Sequence, residues 1–285
     1  MTKQSIGVVG QGFVGSAIAN VFSEHFAVNR YDKDPLKPST HKNIESLARD
    51  SRIIFVCVPT PMKKDGSCSI RIVKSVVEQI KRAGRNNIVI IKSTVPMGTT
   101  DDLSSFVDEG SGIKVIFSPE FLTEVNAEES LRNTDRIILT GDREATARVV
   151  PYYKRVFPNA AIYRYEDAAA GELCKYFVNC FLAAKVSIAN EFYLLAQALG
   201  LEYDHVRQLL LTDQRIGTSH LTVPGLDGKF GFSGSCFPKD INSIIDVADS
   251  LGIDMKTLKG AWETNLAVRP EKDWEELKGR AVVDD

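Results

Sequence analysis

The stretch Gly231-Phe232-Ser233-Gly234-Ser235-Cys236-Phe237-Pro238-Lys239-Asp240 puts a thiol, an amine and a carboxylate close together in a glycine-flanked loop. Pro238 followed by the apolar positions Ile241, Ile244, Ile245 and Val247 marks the first position of a helix. Cys236 should therefore stand just before a helix N-terminus, where free N–H groups and the helix dipole favour a thiolate. It is a candidate nucleophile. Cys57, Cys68, Cys174 and Cys180 have no such setting and read as small buried hydrophobes. The five cysteines form no CxxC or zinc spacing, so neither a metal site nor a disulfide framework is expected. Upstream, Lys175 and Asn179 are four apart on a helical pattern and share a face. With Phe177, Val178, Phe181 and Leu182 around them, a partly buried ammonium and an amide could stabilise a developing oxyanion. A solvated lysine and an asparagine in ordinary polar packing fit the same spacing.

A second constellation lies at the N-terminus. Gly10-Gln11-Gly12-Phe13-Val14-Gly15 is G-x-G-x-x-G between a strand and a helix. The first glycine serves a tight turn, the second lets a pyrophosphate approach the backbone, and the third allows close helix–strand packing. Asp32 closes the second strand at the distance expected of an acid that takes ribose hydroxyls. That favours NAD over NADP, although Arg30 and Lys33 could tolerate a 2′-phosphate. Val58-Pro59-Thr60-Pro61 and Lys92-Ser93-Thr94-Val95-Pro96 end the third and fourth strands and should border the same cofactor.

The elements that must position these residues follow from periodicity. Apolar runs at 5–10, 27–31, 52–58, 87–92, 114–117, 136–141 and 161–165 read as strands. Amphipathic stretches between them, clearest at 14–22 and 70–83, read as helices. Strands alternating with helices predict an α/β domain of the Rossmann type, a doubly wound, mostly parallel sheet over residues 1–165. Residues 167–199 run without proline to Gly200 and predict one long helix. Further helices are expected near 203–211, 238–251 and 254–266, around a glycine-rich loop at 213–235. Residues 166–285 thus read as an all-helical central domain. Of 285 residues, 44% are hydrophobic and 25% charged, with a net charge of −2. That balance offers no footprint for nucleic acid or an anionic membrane. No apolar run is long enough to span a bilayer, and the N-terminus has no signal-peptide layout, so a cytoplasmic enzyme or binding protein is expected.

Taken together, the motifs resemble the UDP-glucose/GDP-mannose dehydrogenase family, its UDP-glucose branch in particular. The matching segments are GQGFVG (10–15), VPTP (58–61), KSTVP (92–96), SPEFLTE (118–124), NTDRIILTG (133–141), ELCKYFVN (172–179), RIG (215–217) and GSCFPKD (234–240). The resemblance implies oxidation of the sugar C6 alcohol to a carboxylate with two NAD and one water, through a thiohemiacetal and a thioester on Cys236. In that reading Lys175 and Asn179 stabilise oxyanions, and Asp240 assists proton transfer and positions Lys175 and water. Glu120 is the base for thioester hydrolysis and Thr94 orients the water. NAD would be held by Gly10, Gly12, Phe13, Val14, Gly15, Asp32, Lys33, Pro59, Thr60 and Thr94. Glu124 and Lys239 would lie nearer the nicotinamide ribose and phosphates. Phe121, Leu122, Lys175, Asn179, Arg215, Phe232 and Gly234 would contact UDP-glucose. Arg215 would reach the substrate of a second copy, implying a homodimer through the long helix; a loop ion pair with Asp213 is the plainer alternative.

The chain also departs from the family pattern. The family has a third domain that binds the UDP moiety, and 285 residues leave no room for it. A fragment, or a short form that borrows those contacts from another chain, is therefore expected. Ser233-Gly234 replaces two adjacent glycines, and Ser67-Cys68-Ser69 replaces a stretch carrying an aspartate, with Ser69 left as the helix cap. Competing readings are a 3-hydroxyacid dehydrogenase, which needs no cysteine, a catalytically silent NAD-binding protein, and an enzyme for another nucleotide sugar.

Overall fold

A computed structural model describes residues 5–122 and 126–284, with the side chains of residues 108 and 109 left aside. The chain divides into two compact units, one of residues 1–60 and 70–175 and the other of residues 61–69 and 176–285.

Seven strands form the sheet of the first unit: β1 (Ser5–Val9), β2 (Ala27–Tyr31), β3 (Ile53–Val56), β4 (Ile88–Ile91), β5 (Lys114–Phe117), β6 (Arg136–Gly141) and β7 (Ala161–Tyr165). Their order is β2-β1-β3-β4-β5-β6-β7. Every neighbouring pair is parallel except β5 and β6, where Ile116 faces Gly141 in antiparallel register. Among the described residues, helices alternate with the strands: α1 (Phe13–Ser23), α2 (Ile44–Asp50), α3 (Arg71–Ala83), α4 (Thr99–Ser111), α5 (Ala127–Arg132) and α6 (Arg143–Val156). The expected doubly wound, mostly parallel sheet is present.

Strand periodicity explains the two layers. Ile6 and Val8, Ile53 and Phe55, and Ile88 and Ile90 point into one core with α1, α5 and α6. Their neighbours Val9, Ile54, Val56, Val89 and Ile91 point into the other, with α2, α3 and α4. The near-continuous apolar strands are what a sheet covered on both faces requires. In α3, Val73, Val76, Val77 and Ile80 recur at helical spacing and are all buried, each stabilising by roughly 1.5–3 kcal/mol.

Helix α7 (Ala168–Ala198) has 31 residues and is roughly 45 Å long; residues 168–175 belong to the first unit and 176–198 to the second. Its first turns are tied down by Glu172, which has no exposed surface. The Glu172 carboxylate accepts the N–H groups of Gly98 (2.6 Å) and Thr100 (2.8 Å) and the Thr100 hydroxyl (2.6 Å), capping the start of α4. Burial pushes the Glu172 carboxyl up from its ordinary value, and these donors oppose the rise.

The second unit adds α8 (Tyr203–Leu210), α9 (Phe237–Ser250), α10 (Lys256–Val268) and a 3₁₀ turn at Asp273–Glu276. Its surprise is residues 61–69. Met62 bridges Cys68 and Val282, and its N–H donates to the Ala281 carbonyl at 2.8 Å. Ser69 is correspondingly no helix cap: Ile70 stands at the N-cap of α3 without a side-chain bond, and the Ser69 N–H donates to Pro61. Among the described residues no helix is long and apolar enough to cross a membrane.

Loss of the Glu172 carboxylate should leave the α4 N-terminus unsatisfied. Glu172→Ala is expected to lower stability to denaturant by on the order of 3 kcal/mol, and Glu172→Gln by about 1. Equal midpoints for all three proteins would show that the cap contributes nothing.

Candidate active site

The glycine loop sits where the strand order reverses between β1 and its neighbours, outside the carboxyl ends of the strands. Gly10 has φ +91°, and a Cβ there would lie 2.4 Å from the Cys57 carbonyl oxygen. A Cβ on Gly15 would lie 1.8 Å from the Gly10 carbonyl oxygen. Nothing stands within 4 Å of a Cβ on Gly12, the N-cap of α1, and the first turn beyond it, with Phe13 and Val14, carries no acid. An open approach to a helix N-terminus with no acid in its first turn is what a pyrophosphate needs. At the end of β2, the Asp32 carboxylate accepts the Gln11 N–H (2.5 Å) and the Asp34 N–H (2.8 Å), placing it beside the loop, with Lys33 exposed. These residues fit a dinucleotide.

The strand-end loops are linked to one another. The Thr60 hydroxyl, next to Pro59, donates to the Thr94 carbonyl at 2.8 Å, and the Ser93 hydroxyl to the Val58 carbonyl at 2.6 Å. After β5, Glu120 is held on two sides. Its Oε2 accepts the Leu122 N–H at 2.7 Å, and Lys175 Nζ donates to its carbonyl (2.6 Å) and its Oε1 (3.3 Å). Lys175 is 4% exposed and stands 5.2 Å from the Phe121 ring centroid. The structure thus brings Glu120, Phe121, Leu122 and Lys175 together, and the buried lysine rather than the solvated one is found. Glu124 lies outside the described residues.

In the second unit, Cys236 occupies the N-cap of α9 itself, so Phe237 is the first helical residue and Pro238 the second, one position later than expected. Asp240, in the first turn, has no exposed surface. It accepts the Asn179 Nδ2 of α7 at 2.6 Å and a short bond from Lys239 Nζ. Burial alone would depress the Lys239 ammonium, but Asp240, Cys68 and Cys236 overcome it and hold the amine well above the ordinary lysine range. Lys239 and the Cys236 sulfur are thus close enough to act on one another electrostatically. Burial pushes two other thiols up, Cys57 to about 12 and Cys180 higher still.

The loop leading to Cys236 is clamped by residues that local patterns did not flag. Asn265 bonds both backbone groups of Phe232, at 2.7 and 3.1 Å, and Asn190 accepts the Gly231 N–H at 3.1 Å. Buried Arg269 bonds the Phe230 carbonyl, Asp227 and Asp273. Ser233 keeps ordinary backbone geometry while Gly231 (φ +66°) and Gly234 (φ +79°) make the turns, and its hydroxyl reaches Asp273 at 2.5 Å. A serine is therefore accommodated where a second glycine was expected. Arg215 is 88% exposed and paired with Asp213 through its Nη2 at 2.5 Å.

Two family models match the chain in succession. The NAD binding domain of the UDP-glucose/GDP-mannose dehydrogenase family matches residues 36–158, and that family's central domain matches residues 169–267. UDP-glucose 6-dehydrogenase AglM of Haloferax volcanii is 30% identical over 98% of this chain and 73% of its own length. The chain belongs to the UDP-glucose/GDP-mannose dehydrogenase family. UDP-glucose 6-dehydrogenase YwqF of Bacillus subtilis is 34% identical over 75% of this chain, which spans about half, 48%, of that relative. A UDP-glucose dehydrogenase from Pyrobaculum islandicum superposes with a TM-score of 0.84 at 31% identity, covering 94% of this chain and 68% of that one.

A pair of glycine substitutions separates folding from cofactor binding. Gly12→Ala meets no atom in the fold, so its stability should stay within about 0.5–1 kcal/mol of wild type. NAD+ affinity, measured by calorimetry, should nonetheless fall by more than about tenfold. Unchanged affinity would remove the glycine loop from the cofactor site.

Proposed function

We propose that this chain carries the chemistry of a UDP-glucose 6-dehydrogenase: oxidation of the C6 alcohol of UDP-glucose to a carboxylate. The observation that carries the reading is Cys236 at the N-cap of α9, beside an ammonium and a fully buried carboxylate. NAD+, when bound at the glycine loop, accepts a hydride in each of the two oxidation steps. The chain's own groups do the rest. Removal of the hydroxyl proton and of one hydride from C6 gives the aldehyde, and Lys175 and Asn179, one helical turn apart on α7, stabilise by donation the negative charge that the oxygen carries as the proton leaves and again as the sulfur adds. The Cys236 sulfur adds to the aldehyde carbon and the oxygen takes a proton, giving a thiohemiacetal. Loss of the second hydride and that proton leaves a thioester, so the aldehyde never escapes. Glu120 takes a proton from water as the water attacks the acyl carbon, with Thr94 orienting it, and the C–S bond breaks to return the thiolate. One alcohol and one water give one carboxylate, two hydrides and three protons. Asp240 holds Asn179 and Lys239 and shuttles protons at this site.

Phe121, Leu122, Phe232 and Gly234 contact the sugar nucleotide in this reading, and Lys239 and Glu124 serve the cofactor. We also infer a homodimer through α7. Phe177, Phe181, Ile188, Phe192, Leu195 and Leu199 recur at spacings of three, four and seven and are each at least half exposed. A second copy offers the same apolar stripe, which is the self-complementarity that a two-fold interface requires. Arg215 then serves the neighbouring copy after leaving Asp213.

With UDP-glucose limiting and NAD+ in excess, two NADH per sugar are expected, and none from Cys236→Ala. One NADH per sugar, or turnover that survives the substitution, would contradict the thioester route. Phe181→Asp should convert a dimer to a monomer in light scattering; a dimer that persists would place the interface elsewhere.

A further inference from the structure

Lys92, the first residue after β4, is a buried ammonium to which the reaction above gives no task; it is 8% exposed. Its Nζ donates to the Pro119 carbonyl at 3.0 Å and to the Ser118 hydroxyl at 3.3 Å. Ser118 continues to the Tyr153 hydroxyl at 3.3 Å. The Pro119 carbonyl belongs to the peptide bond whose nitrogen is that of Glu120. The next carbonyl along, that of Glu120 itself, is taken by Lys175 at 2.6 Å. Two lysines from different elements thus hold successive carbonyls of one turn. A surface lysine tying β4 to β5 would serve structure equally well without the cost of dehydrating its charge.

We propose that Lys92 is a positioning residue for Glu120: its ammonium grips the Pro119 carbonyl and, with Lys175 on the following carbonyl, fixes the direction of the Glu120 carboxylate. The proposal rests on the reading of Glu120 as the base of the hydrolytic step. Among the described residues, the titratable groups facing Lys92 are Cys57 after β3, Glu120, Lys175 of α7 and, through Ser118, Tyr153 of α6. Arg136 of β6 lines the same small cavity. Burial pulls Lys92 down to about 8, against Cys57 and Glu120 and reinforced by Lys175. The sign follows: below about pH 8 the ammonium keeps its grip, and above it a neutral amine donates more weakly while exposed lysines stay charged.

The backbone amide of Glu120 reports that grip directly, because it shares a peptide plane with the Pro119 carbonyl. In wild-type protein its ¹H–¹⁵N shift is expected to titrate with a midpoint near pH 8. In Lys92→Met and Lys92→Arg the titration should vanish. Thioester hydrolysis should be slowed by about tenfold or more in Lys92→Met with the KM for NAD+ little changed. Lys92→Arg should recover much of the rate and lose its decline above pH 8. If Lys92→Met does not fold, the Lys92→Arg spectra and pH profile carry the test alone. A Glu120 amide indifferent to pH in the wild type, or hydrolysis at the wild-type rate in Lys92→Met, would overturn the proposal. If the amide titrates and the variants abolish it, yet the wild type leaves UDP-glucose untouched, the positioning role stands and the assigned reaction fails.

Discussion

A carboxylate stripped of water must be compensated, and much of the second unit is arranged around that constraint at Asp240. Dehydrating such a group costs several kcal/mol unless donors replace the water. Asn179 and Lys239 are those donors, one from α7 and one from α9 itself. Meeting the requirement sets the register of α9 against α7 and so sets where the N-cap of α9, Cys236, stands. Lys239 in turn is a buried cation that its anionic neighbours keep charged. The glycine-rich loop cannot stray either, because Asn265 and Arg269 take its backbone groups one by one.

The first unit repeats the principle with buried charges of both signs. Glu172 is buried against the start of α4, and Lys175, one turn later, reaches the turn after β5. Lys92 reaches the same turn from β4. Each buried charge is matched to backbone groups or to an opposite charge, so each fixes the geometry of a loop that would otherwise be free. Loops held this way can lie at strand ends, where a cofactor needs open space, and still keep a defined shape.

The alternation of apolar strands with amphipathic helices made the doubly wound sheet and the long helix legible in the sequence, because both depend on local periodicity. Gly10 to Gly15 were legible for a related reason: the turn, the helix start and the strand are contiguous. Local signals also put Cys236 at a helix start, with Pro238 one position off. What could not be read locally were bonds between distant residues. Asn179 and Asp240 are 61 apart in sequence and Lys175 and Glu120 are 55 apart. Nothing in the pattern around Lys92 or Arg269 distinguishes a buried cation from a solvated one. Residues 61–69 join the second unit through pairing with 281–283, a partner no window of sequence could supply. The antiparallel meeting of β5 and β6 was likewise invisible, since strand patterns carry no direction.

The most direct test of the account is to trap the acyl group on sulfur. Glu120→Gln protein, incubated with UDP-glucose and NAD+ and digested under acidic conditions, should yield the peptide containing Cys236 with the added mass of the uronyl thioester. The same peptide from wild-type protein should carry none once the UDP-glucose is exhausted. NADH formation in the variant with an unmodified Cys236 peptide, at every time sampled, would contradict the claim that this chain oxidises its substrate through Cys236.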